Sequence, residues 1–311
     1  RDHVARKIVK EVKEGRGSPH GGVFLDIAWI KEHIKDAEAH IKKKLPSMYH
    51  QFMELAEVDI TKEPMEVGPT CHYFMGGIRV EADTTMSTVD GLFACGECAA
   101  GMHGANRLGG NSLSDLLVFG NLAGSGASKY AKGLSAVPQF SDEDAKRIIR
   151  NATSILNREE GENPYLLHED LQKNMQNNVG IIRTDSELQE GVRNIENLKE
   201  KNKNVKANGS SQFNPGWHEA LAMRNLLITS EAVARAAHMR EESRGAHTRD
   251  DFRDESEEWY QYNIITKKGE DGNMQVIKEK RKEPNAELFR IANAKLEDLE
   301  AEVAAERKSQ L

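Results

Sequence analysis

The chain has 311 residues, of which 38% are hydrophobic and 30% are charged. This balance is typical of a folded globular protein of two or three domains and excludes a disordered chain. The formal net charge of −7 argues against a nucleic-acid partner, because such proteins concentrate Lys and Arg to neutralise phosphates. Since no apolar run approaches the roughly 18 residues of a membrane span, we expect any membrane contact to go through a partner.

The first part of the chain is predicted to combine short helices and strands with Gly-rich loops. Apolar spacing and chain breaks predict helices at 1–14 and 29–45, a third helix from about Met48, a strand at 22–27, a buried strand at 91–95 and a helix from about Ser112. The strand–loop–helix order is typical of α/β domains. Because the chain opens directly into a helix at Arg1, we expect it to be a fragment of a longer protein.

The second part of the chain is predicted to be a helical bundle followed by a different tail. The predicted helices of the bundle are one from the capping residue Ser141 to about Leu156 and three more at 164–178, 185–203 and 217–242. In the tail, predicted strands at 259–266 and 274–278 flank the turn 268–273, and a charged helix begins near Ala286. The tail is therefore predicted to be a small α+β unit.

One motif combines a Gly-rich loop with the start of a helix, from His103 to Leu113 (HGANRLGGNSL). Its glycines allow a ligand to approach the backbone closely, and the N-terminus of a helix favours an anion or an electron-rich ring. Arg107, in the middle of the loop, could hold a carboxylate bidentately. The alternative is a loop that only forms a tight turn, with its arginine in solvent.

A second motif, 69–78 (PTCHYFMGGI), places a histidine before two glycines. Apolar and aromatic neighbours predict a buried imidazole at His72 beside a close backbone approach. A lone histidine of this kind is more often a satisfied core residue than a ligand. Together with Arg107, however, His72 supplies a second hydrogen-bonding or cationic group for a dianion.

A third motif, 91–97 (GLFACGE), resembles nucleotide-binding turns in which an acid accepts hydrogen bonds from ribose hydroxyls. The spacing of Cys95 and Cys98 also permits a redox or zinc interpretation, but one CxxC without a second pair is a weak metal site. Three cysteines, an odd number, indicate a reducing compartment. We therefore expect Cys95 and Cys98 to be reduced core residues without a metal.

Several long motifs, in one order, resemble the flavoprotein subunit of succinate dehydrogenase and fumarate reductase. They are RDHVAR at 1–6, PTCHYFMGG at 69–77, GLFACGE at 91–97, HGANRLGGNSL at 103–113 and ESRGAH at 242–247. The similarity covers the whole chain, more weakly after about residue 265. The chain corresponds to about half of such a flavoprotein, without the GxGxxG turn and the histidine to which the flavin is usually attached covalently.

The resemblance implies an α/β plus α fold: part of an FAD-binding α/β domain and its capping domain, then a helical bundle and a small C-terminal α+β tail. The expected segments are a capping domain at 1–62, a returning segment of the FAD-binding domain at 63–134, a helical domain at 135–242 and a C-terminal domain at 243–311.

The resemblance also implies a role for each matching site residue. His72 and Arg107 match residues that grip a substrate carboxylate, and Glu97 matches a residue that binds the ribose region of FAD. Ser112 and Leu113 match positions at a helix start that face the flavin ring. These roles agree with the carboxylate and anion sites that the motifs themselves predict.

Arg1 matches the arginine that transfers a proton to or from the substrate carbon. Arginine normally keeps its charge, but nearby positive groups and a water-poor pocket favour its loss, and neutrality need only be transient. Without the resemblance, Arg1 would be interpreted as a solvated charge at a helix start.

The implied reaction is the interconversion of succinate and fumarate with FAD, in either direction because the same site catalyses both. The expected partners are a dicarboxylate substrate, the N-terminal half of the same flavoprotein with the covalent flavin attachment site, an iron–sulfur subunit, a membrane-anchor subunit reached through it, and quinone. The expected location is peripheral, on the cytoplasmic face of a bacterial inner membrane or the matrix side in a mitochondrion.

Two other functions compete with this one. L-aspartate oxidase shares the HGANR loop, but its loop more typically continues with Ala-Ser where this chain has Gly109 and Gly110, and it lacks a clear RGAH match. A non-catalytic interaction module would be favoured by a disrupted His72 or Arg107, and both residues are intact.

Overall fold

The computed structural model of the chain describes residues 2–309, with side chains described from 3 to 303. Arg1, the predicted proton-transferring residue, therefore lies outside the described residues. The chain divides into two compact units, with the boundary after Asp254. Among the described residues, no helix is both long enough and apolar enough to cross a membrane.

The first unit opens with three helices and a small two-stranded sheet. These are helix α1 (Asp2–Lys13), strand β1 (Val23–Leu25), helices α2 (Ala37–Lys44) and α3 (Pro46–Ala56), and strand β2 (Met65–Val67). The two strands pair antiparallel, with Val23 opposite Val67. A compact core of Ile41, Ile60 and Met65 lies beneath them.

The prediction of one continuous helix over 29–45 is wrong. The segment contains a short 3-10 helix (Ala28–Glu32), then a break, and only then α2. The break is at Asp36, whose φ of 59° places it in the left-handed region. An α-helix cannot pass through that conformation, whereas an aspartate tolerates it in a turn.

The predicted buried strand at 91–95 is also wrong. An isolated antiparallel bridge joins Phe93 to Met86 instead of a continuous ladder. The start of the run forms a turn, in which the Leu92 amide donates to the Val89 carbonyl at 3.0 Å and the Leu92 side chain is exposed. The apolar residues of this run are thus divided between a turn and a single bridge.

A long helix, α4 (Asn111–Gly133), follows the Gly-rich loop, as predicted. Gly110 precedes it with φ 85°, and no side chain caps its first turn. Its first half exposes several leucines, including Leu113 and Leu117.

The predicted helical bundle is confirmed. Its helices are α5 (Asp142–Ser154), α6 (Pro164–Asn178), α7 (Asp185–Asn202) and α8 (Pro215–Met239). Leu171, Leu188, Ile195 and Met223 belong to its buried core. Leu188 and Ile195, both buried on α7, are seven residues apart and so lie on one face of that helix.

Capping residues explain where these helices begin. Ser141 caps α5, its hydroxyl accepting from the amide of Asp144 at 3.4 Å. Helix α7 begins with a complete capping box. The Thr184 side chain accepts from the amide of Glu187, and the Glu187 carboxylate accepts from the amide of Thr184.

The second unit is an antiparallel hairpin with short helices. Helix α9 (Glu257–Tyr260) leads into strands β3 (Tyr262–Lys268) and β4 (Met274–Lys280), followed by α10 (Ala286–Asn293) and α11 (Leu296–Ser309). The predicted hairpin and its turn are confirmed, with Ile265 opposite Ile277. The predicted first strand begins later, because its first residues form α9, and the single closing helix is two helices.

Candidate functional site

The 69–78 motif lies beside residues 96–100, which overlap the end of the 91–97 motif. The Ile78 amide donates to the Cys98 carbonyl at 2.8 Å, and the Ala100 amide donates to the Ile78 carbonyl at 2.9 Å. A Cβ atom on Gly77 would stand 2.4 Å from the Cys98 carbonyl oxygen. Glycine is therefore required at this position for the two segments to approach.

His72 and Arg107, 35 residues apart in the sequence, meet in the structure. Arg107 Nη2 lies 3.5 Å from His72 Nε2, and Arg107 Nη1 donates to the Leu108 carbonyl at 3.1 Å. His72 Nδ1 lies 3.3 Å from the Thr70 carbonyl. Because a carbonyl only accepts, Nδ1 donates to it, and the Nε2 atom of the ring faces Arg107.

The Nε atom of Arg107 is buried and has no hydrogen-bond partner among the described residues. Within the same part of the chain, the guanidinium contacts no carboxylate. A buried donor without an acceptor is costly, at about 1–3 kcal/mol. Because protein atoms cover Nε, a carboxylate ligand would pair with the terminal nitrogens of the guanidinium, whose donors match its two oxygens in geometry and charge.

The imidazole of His72 is exposed, so the prediction of a buried ring is wrong. Its flanking side chains, Cys71 and Phe74, are exposed as well and do not cover it. The apolar neighbours of this histidine are thus open surface in the described structure, and the ring is accessible to a ligand.

Tyr73 connects Arg107 to two buried polar groups that the sequence did not reveal. The Arg107 guanidinium carbon lies 4.5 Å from the centroid of the Tyr73 ring. The Tyr73 hydroxyl donates to Asp115 Oδ2 at 3.3 Å and lies 3.1 Å from His103 Nε2. Burial raises the pKa of the Tyr73 phenol, and the charge of Asp115 raises this pKa further, so the phenol keeps its proton.

Glu97 lies in a short 3-10 helix (Gly96–Cys98), and its side chain is exposed. Its Oε1 atom accepts from the Phe74 amide at 3.0 Å. The carboxylate thereby links the two adjoining segments.

The residues expected to face the flavin ring stand in the first turn of α4. Ser112 is half-buried, and Leu113 is exposed. The first turn contains no acidic residue and no side-chain cap. Its amide hydrogens therefore form a positive end of a 23-residue helix, an arrangement that suits an anion or an electron-rich ring.

The 242–247 motif packs onto the loop that carries Arg107. The Ala246 amide donates to the Ala105 carbonyl at 3.0 Å. At the start of the motif, Glu242 is fully buried between two arginines, accepting from Arg240 at 2.5 Å and from Arg244 at 3.1 Å. The motif is thus a rigid support beneath the site loop.

The last residue of this motif, His247, is held neutral. Its Nε2 atom donates to the Arg240 carbonyl at 3.1 Å, which leaves Nδ1 to accept from Arg183 Nη1 at 2.9 Å. Burial and the adjacent Arg183 charge lower the pKa of His247 to about 4. The pKa of Arg183 is lowered as well, chiefly by its own burial.

In the described part of the chain, no group of three or more His, Cys, Asp or Glu residues is arranged to hold a metal ion. Cys98 is exposed and Cys95 is half-buried, so the expectation that both are core residues is wrong. Cys98 Sγ lies 3.3 Å from the Cys95 carbonyl.

Two family models match separate parts of the chain: "FAD binding domain" covers residues 1–113, and "Fumarate reductase flavoprotein C-term" covers 168–297. The succinate dehydrogenase flavoprotein of Coxiella burnetii is 36% identical over 86% of this chain and 47% of its own length. A fumarate reductase (CoM/CoB) of Methanothermobacter marburgensis contains a polypeptide that is 39% identical over 87% of this chain and 47% of its own length. The chain belongs to the succinate dehydrogenase and fumarate reductase flavoprotein family.

Among solved structures, the flavoprotein chain is similar to one in the Mycobacterium smegmatis Sdh1 complex in the apo form. The identity is 49% and the TM-score is 0.85, over 97% of this chain and 50% of the other. The flavoprotein chain spans about half the length of the curated relatives that it matches. The predicted cofactor, FAD, is confirmed by the FAD-binding match over residues 1–113.

The residues that sequence reasoning missed are Tyr73, His103, Asp115 and Arg183. Tyr73 and His103 lie within recognised motifs and Asp115 lies next to one, but functions were assigned only to neighbouring residues of these motifs. No local signal marks Asp115, because the leucines around it on α4 are exposed while the aspartate itself is buried.

Proposed function

We propose that the complete flavoprotein containing this sequence interconverts succinate and fumarate, with His72 and Arg107 binding a substrate carboxylate. The observation that carries this proposal is the approach of the Arg107 Nη2 atom to His72 Nε2, with no carboxylate paired with this guanidinium among the described residues. A dicarboxylate would provide the negative charge that this pair of residues lacks.

The described residues also fit FAD. The amides at the start of α4, next to Ser112 and Leu113, would stabilise negative charge on the ring, and Glu97 would accept hydrogen bonds from the ribose region. When bound, FAD supplies the acceptor or donor of the hydride. The residues of this chain orient the substrate for that transfer.

Arg1 is proposed to transfer the proton on the carbon next to the one that exchanges hydride. This role rests on the family resemblance, since Arg1 lies outside the described residues. By its position in the sequence, Arg1 falls in the segment assigned to the capping domain (1–62). The returning FAD-binding segment (63–134), the helical domain (135–242) and the C-terminal domain (243–311) complete the proposed organisation.

The proposed partners follow from the family. Electrons would pass to an iron–sulfur subunit and then, through a membrane-anchor subunit, to or from quinone. The covalent flavin attachment site would be supplied by the N-terminal half of the flavoprotein. The flavoprotein would be peripheral, on the cytoplasmic face of a bacterial inner membrane or on the matrix side in a mitochondrion.

The test is binding of a dicarboxylate inhibitor, malonate, to the complete flavoprotein, followed by the change in flavin absorbance. Arg107→Ala should weaken binding by about 2–5 kcal/mol, because one charge of a sheltered pair is left without its partner. The matched control is Arg147→Ala, an exposed arginine paired with Asp144 on α5, which should leave the affinity unchanged.

Unchanged malonate affinity in Arg107→Ala would contradict the proposal. Turnover distinguishes the two enzymatic functions: oxidation of L-aspartate in place of succinate would identify an L-aspartate oxidase. Absence of any turnover and any malonate binding by the FAD-loaded protein would favour an interaction module.

A further inference from the structure

We propose that Tyr73 is a positioning residue for Arg107, held in place by His103 and Asp115, and that it thereby sets the affinity of the site for a carboxylate. The inference rests on the proposed function, because Arg107 is assigned to the substrate there. It adds three residues to the site, from two loops and the first turns of α4.

The first step concerns what holds the guanidinium of Arg107. Its contacts in the described structure are the Leu108 carbonyl, His72 at the limit of hydrogen bonding, and the face of the Tyr73 ring. The carbonyl fixes one nitrogen, and the ring fixes the plane in which the group lies. A cation over an aromatic face within about 6 Å is attracted by the ring quadrupole. The ring is therefore the largest surface that orients this arginine.

The second step concerns what holds the ring of Tyr73. Its hydroxyl, His103 Nε2 and Asp115 Oδ2 form a triangle with sides of 3.1, 3.2 and 3.3 Å. One arrangement satisfies all three contacts when Asp115 is ionised. His103 Nε2–H donates to both oxygens, and the phenol donates to the carboxylate.

The third step concerns the rigidity of this anchor. The Asp115 side chain is 2% exposed and that of His103 is 11% exposed. Hydrogen bonds in such surroundings are stronger than in water because the local dielectric is low. The other carboxylate oxygen, Asp115 Oδ1, is buried without a partner among the described residues. The Tyr73 and His103 rings also meet edge to face, with centroids 5.5 Å apart. The Tyr73 ring is thus tied to α4, whose N-terminus is the proposed flavin contact.

The consequence is a fixed relation between the substrate-binding arginine and the flavin-facing helix. If the ring is lost, Arg107 keeps its charge but loses the surface that orients it toward His72. Carboxylate affinity should then fall although both ligand-binding residues are intact. If the hydroxyl alone is lost, the ring remains beneath Arg107 without its anchor, and the loss should be smaller.

The experiment measures malonate affinity of the complete, FAD-loaded flavoprotein by flavin absorbance. Tyr73→Leu should weaken binding about 5- to 30-fold, the range of a partly desolvated cation–aromatic contact. Tyr73→Phe should recover most of this loss, to within about 2- to 5-fold of the wild type. The matched control is Tyr260→Leu, which removes a similar arginine–tyrosine contact (Arg281, 4.2 Å) in the second unit and should change the affinity less than 2-fold.

A double-mutant cycle separates positioning from general stability. In an Arg107→Ala background, Tyr73→Leu should have no further effect on affinity, because the residue that it orients is gone. Equal losses from Tyr73→Leu in both backgrounds would overturn the inference, as would full affinity in Tyr73→Leu. If Arg107→Ala itself leaves affinity unchanged, the proposed function fails. If Tyr73→Leu does not fold, Tyr73→Phe is the deciding variant. Wild-type malonate affinity in Tyr73→Phe, together with weakened affinity in Arg107→Ala, would overturn the inference about the Tyr73 ring and leave the proposed function standing.

Discussion

Gly245 lies directly against the carbonyl oxygen of Ala105, so that a Cβ atom on Gly245 would stand 2.3 Å from that oxygen. The same carbonyl accepts from the amide of Ala246. Gly245 also has φ 59°, in the left-handed region. The 242–247 motif therefore contacts the substrate loop backbone to backbone, two residues before Arg107.

Gly245→Ala should displace the loop that carries Arg107. The methyl group collides with backbone, which cannot rotate away as a side chain can, and the positive φ adds strain. We expect a loss of about 1–3 kcal/mol in unfolding free energy, by analogy with overpacked sites, together with weaker malonate binding. Both are measured on the complete flavoprotein, by urea denaturation and by flavin absorbance.

The matched control for this variant is Gly272→Ala in the β3–β4 turn. Gly272 has a comparable φ of 83°, but its nearest neighbour to an added Cβ is the end of a flexible lysine at 4.0 Å. Gly272→Ala therefore measures the cost of the backbone conformation without the collision, and its malonate affinity should stay at the wild-type value. Equal effects of the two variants on affinity would exclude the contact with Ala105 as the cause.

His247 should make stability depend on pH. Its folded-state pKa of about 4 lies below the unfolded value of about 6.5, so the unfolded chain takes up the proton first as pH falls. The stabilisation is complete above pH 6.5 and decreases between about 6.5 and 4, by at most about 1.4 kcal/mol per pH unit. Urea midpoints measured from pH 7.5 to 5 should show this slope.

His247→Gln should flatten that slope, because an amide can accept from Arg183 and donate to the Arg240 carbonyl without titrating. The exposed His50→Gln, on α3, is the control and should leave the slope unchanged. A slope that persists in His247→Gln would assign the pH dependence to another group.

Replacing Cys95 and Cys98 together by alanine should leave turnover within a few-fold. The contacts that join 96–100 to 69–78 are made by backbone atoms, such as the Cys98 carbonyl, and by the Glu97 carboxylate, so they survive the substitution. Elemental analysis of the complete flavoprotein should detect no zinc attributable to these residues. Stoichiometric zinc that disappears in the double variant, or loss of turnover, would restore the metal interpretation.

The sequence predicted the helices well and the loops poorly, for physical reasons. Helical periodicity is a local signal, so α6 and α7 were predicted to within a residue. The break at Asp36 arises from a single left-handed residue that periodicity does not register. The strand predicted at 91–95 failed because an apolar run does not specify whether a partner strand continues beside it.

The site was predictable only where a motif carried it. His72 and Arg107 stand in separate motifs, and the structure brings them together. Tyr73, His103 and Asp115 depend on each other through space, at separations of 30 and 12 residues. No local pattern encodes such a triangle, so the residues that position the arginine became visible only in the fold.

The sharpest prediction concerns Arg1, tested in the complete flavoprotein. If Arg1 transfers the proton, Arg1→Gln should lower turnover by about 10²–10⁴, the scale of positioned acid–base groups. Substrate affinity should fall much less, because His72 and Arg107 still hold the carboxylate. Arg1→Lys should recover part of the rate, with a pH profile shifted toward the lower pKa of an amine.

The competing view makes Arg1 an electrostatic clamp on the substrate. Arg1→Gln would then weaken binding as much as turnover, and Arg1→Lys would restore both without moving the pH profile. Single-turnover reduction of the flavin by succinate, measured across pH for both variants, distinguishes the two views, because it separates affinity from the rate of the chemical step. Arg107→Ala provides the contrast, since a residue that binds the carboxylate should lose affinity first. Equal losses of affinity and of reduction rate in Arg1→Gln would remove Arg1 from the proton-transfer role.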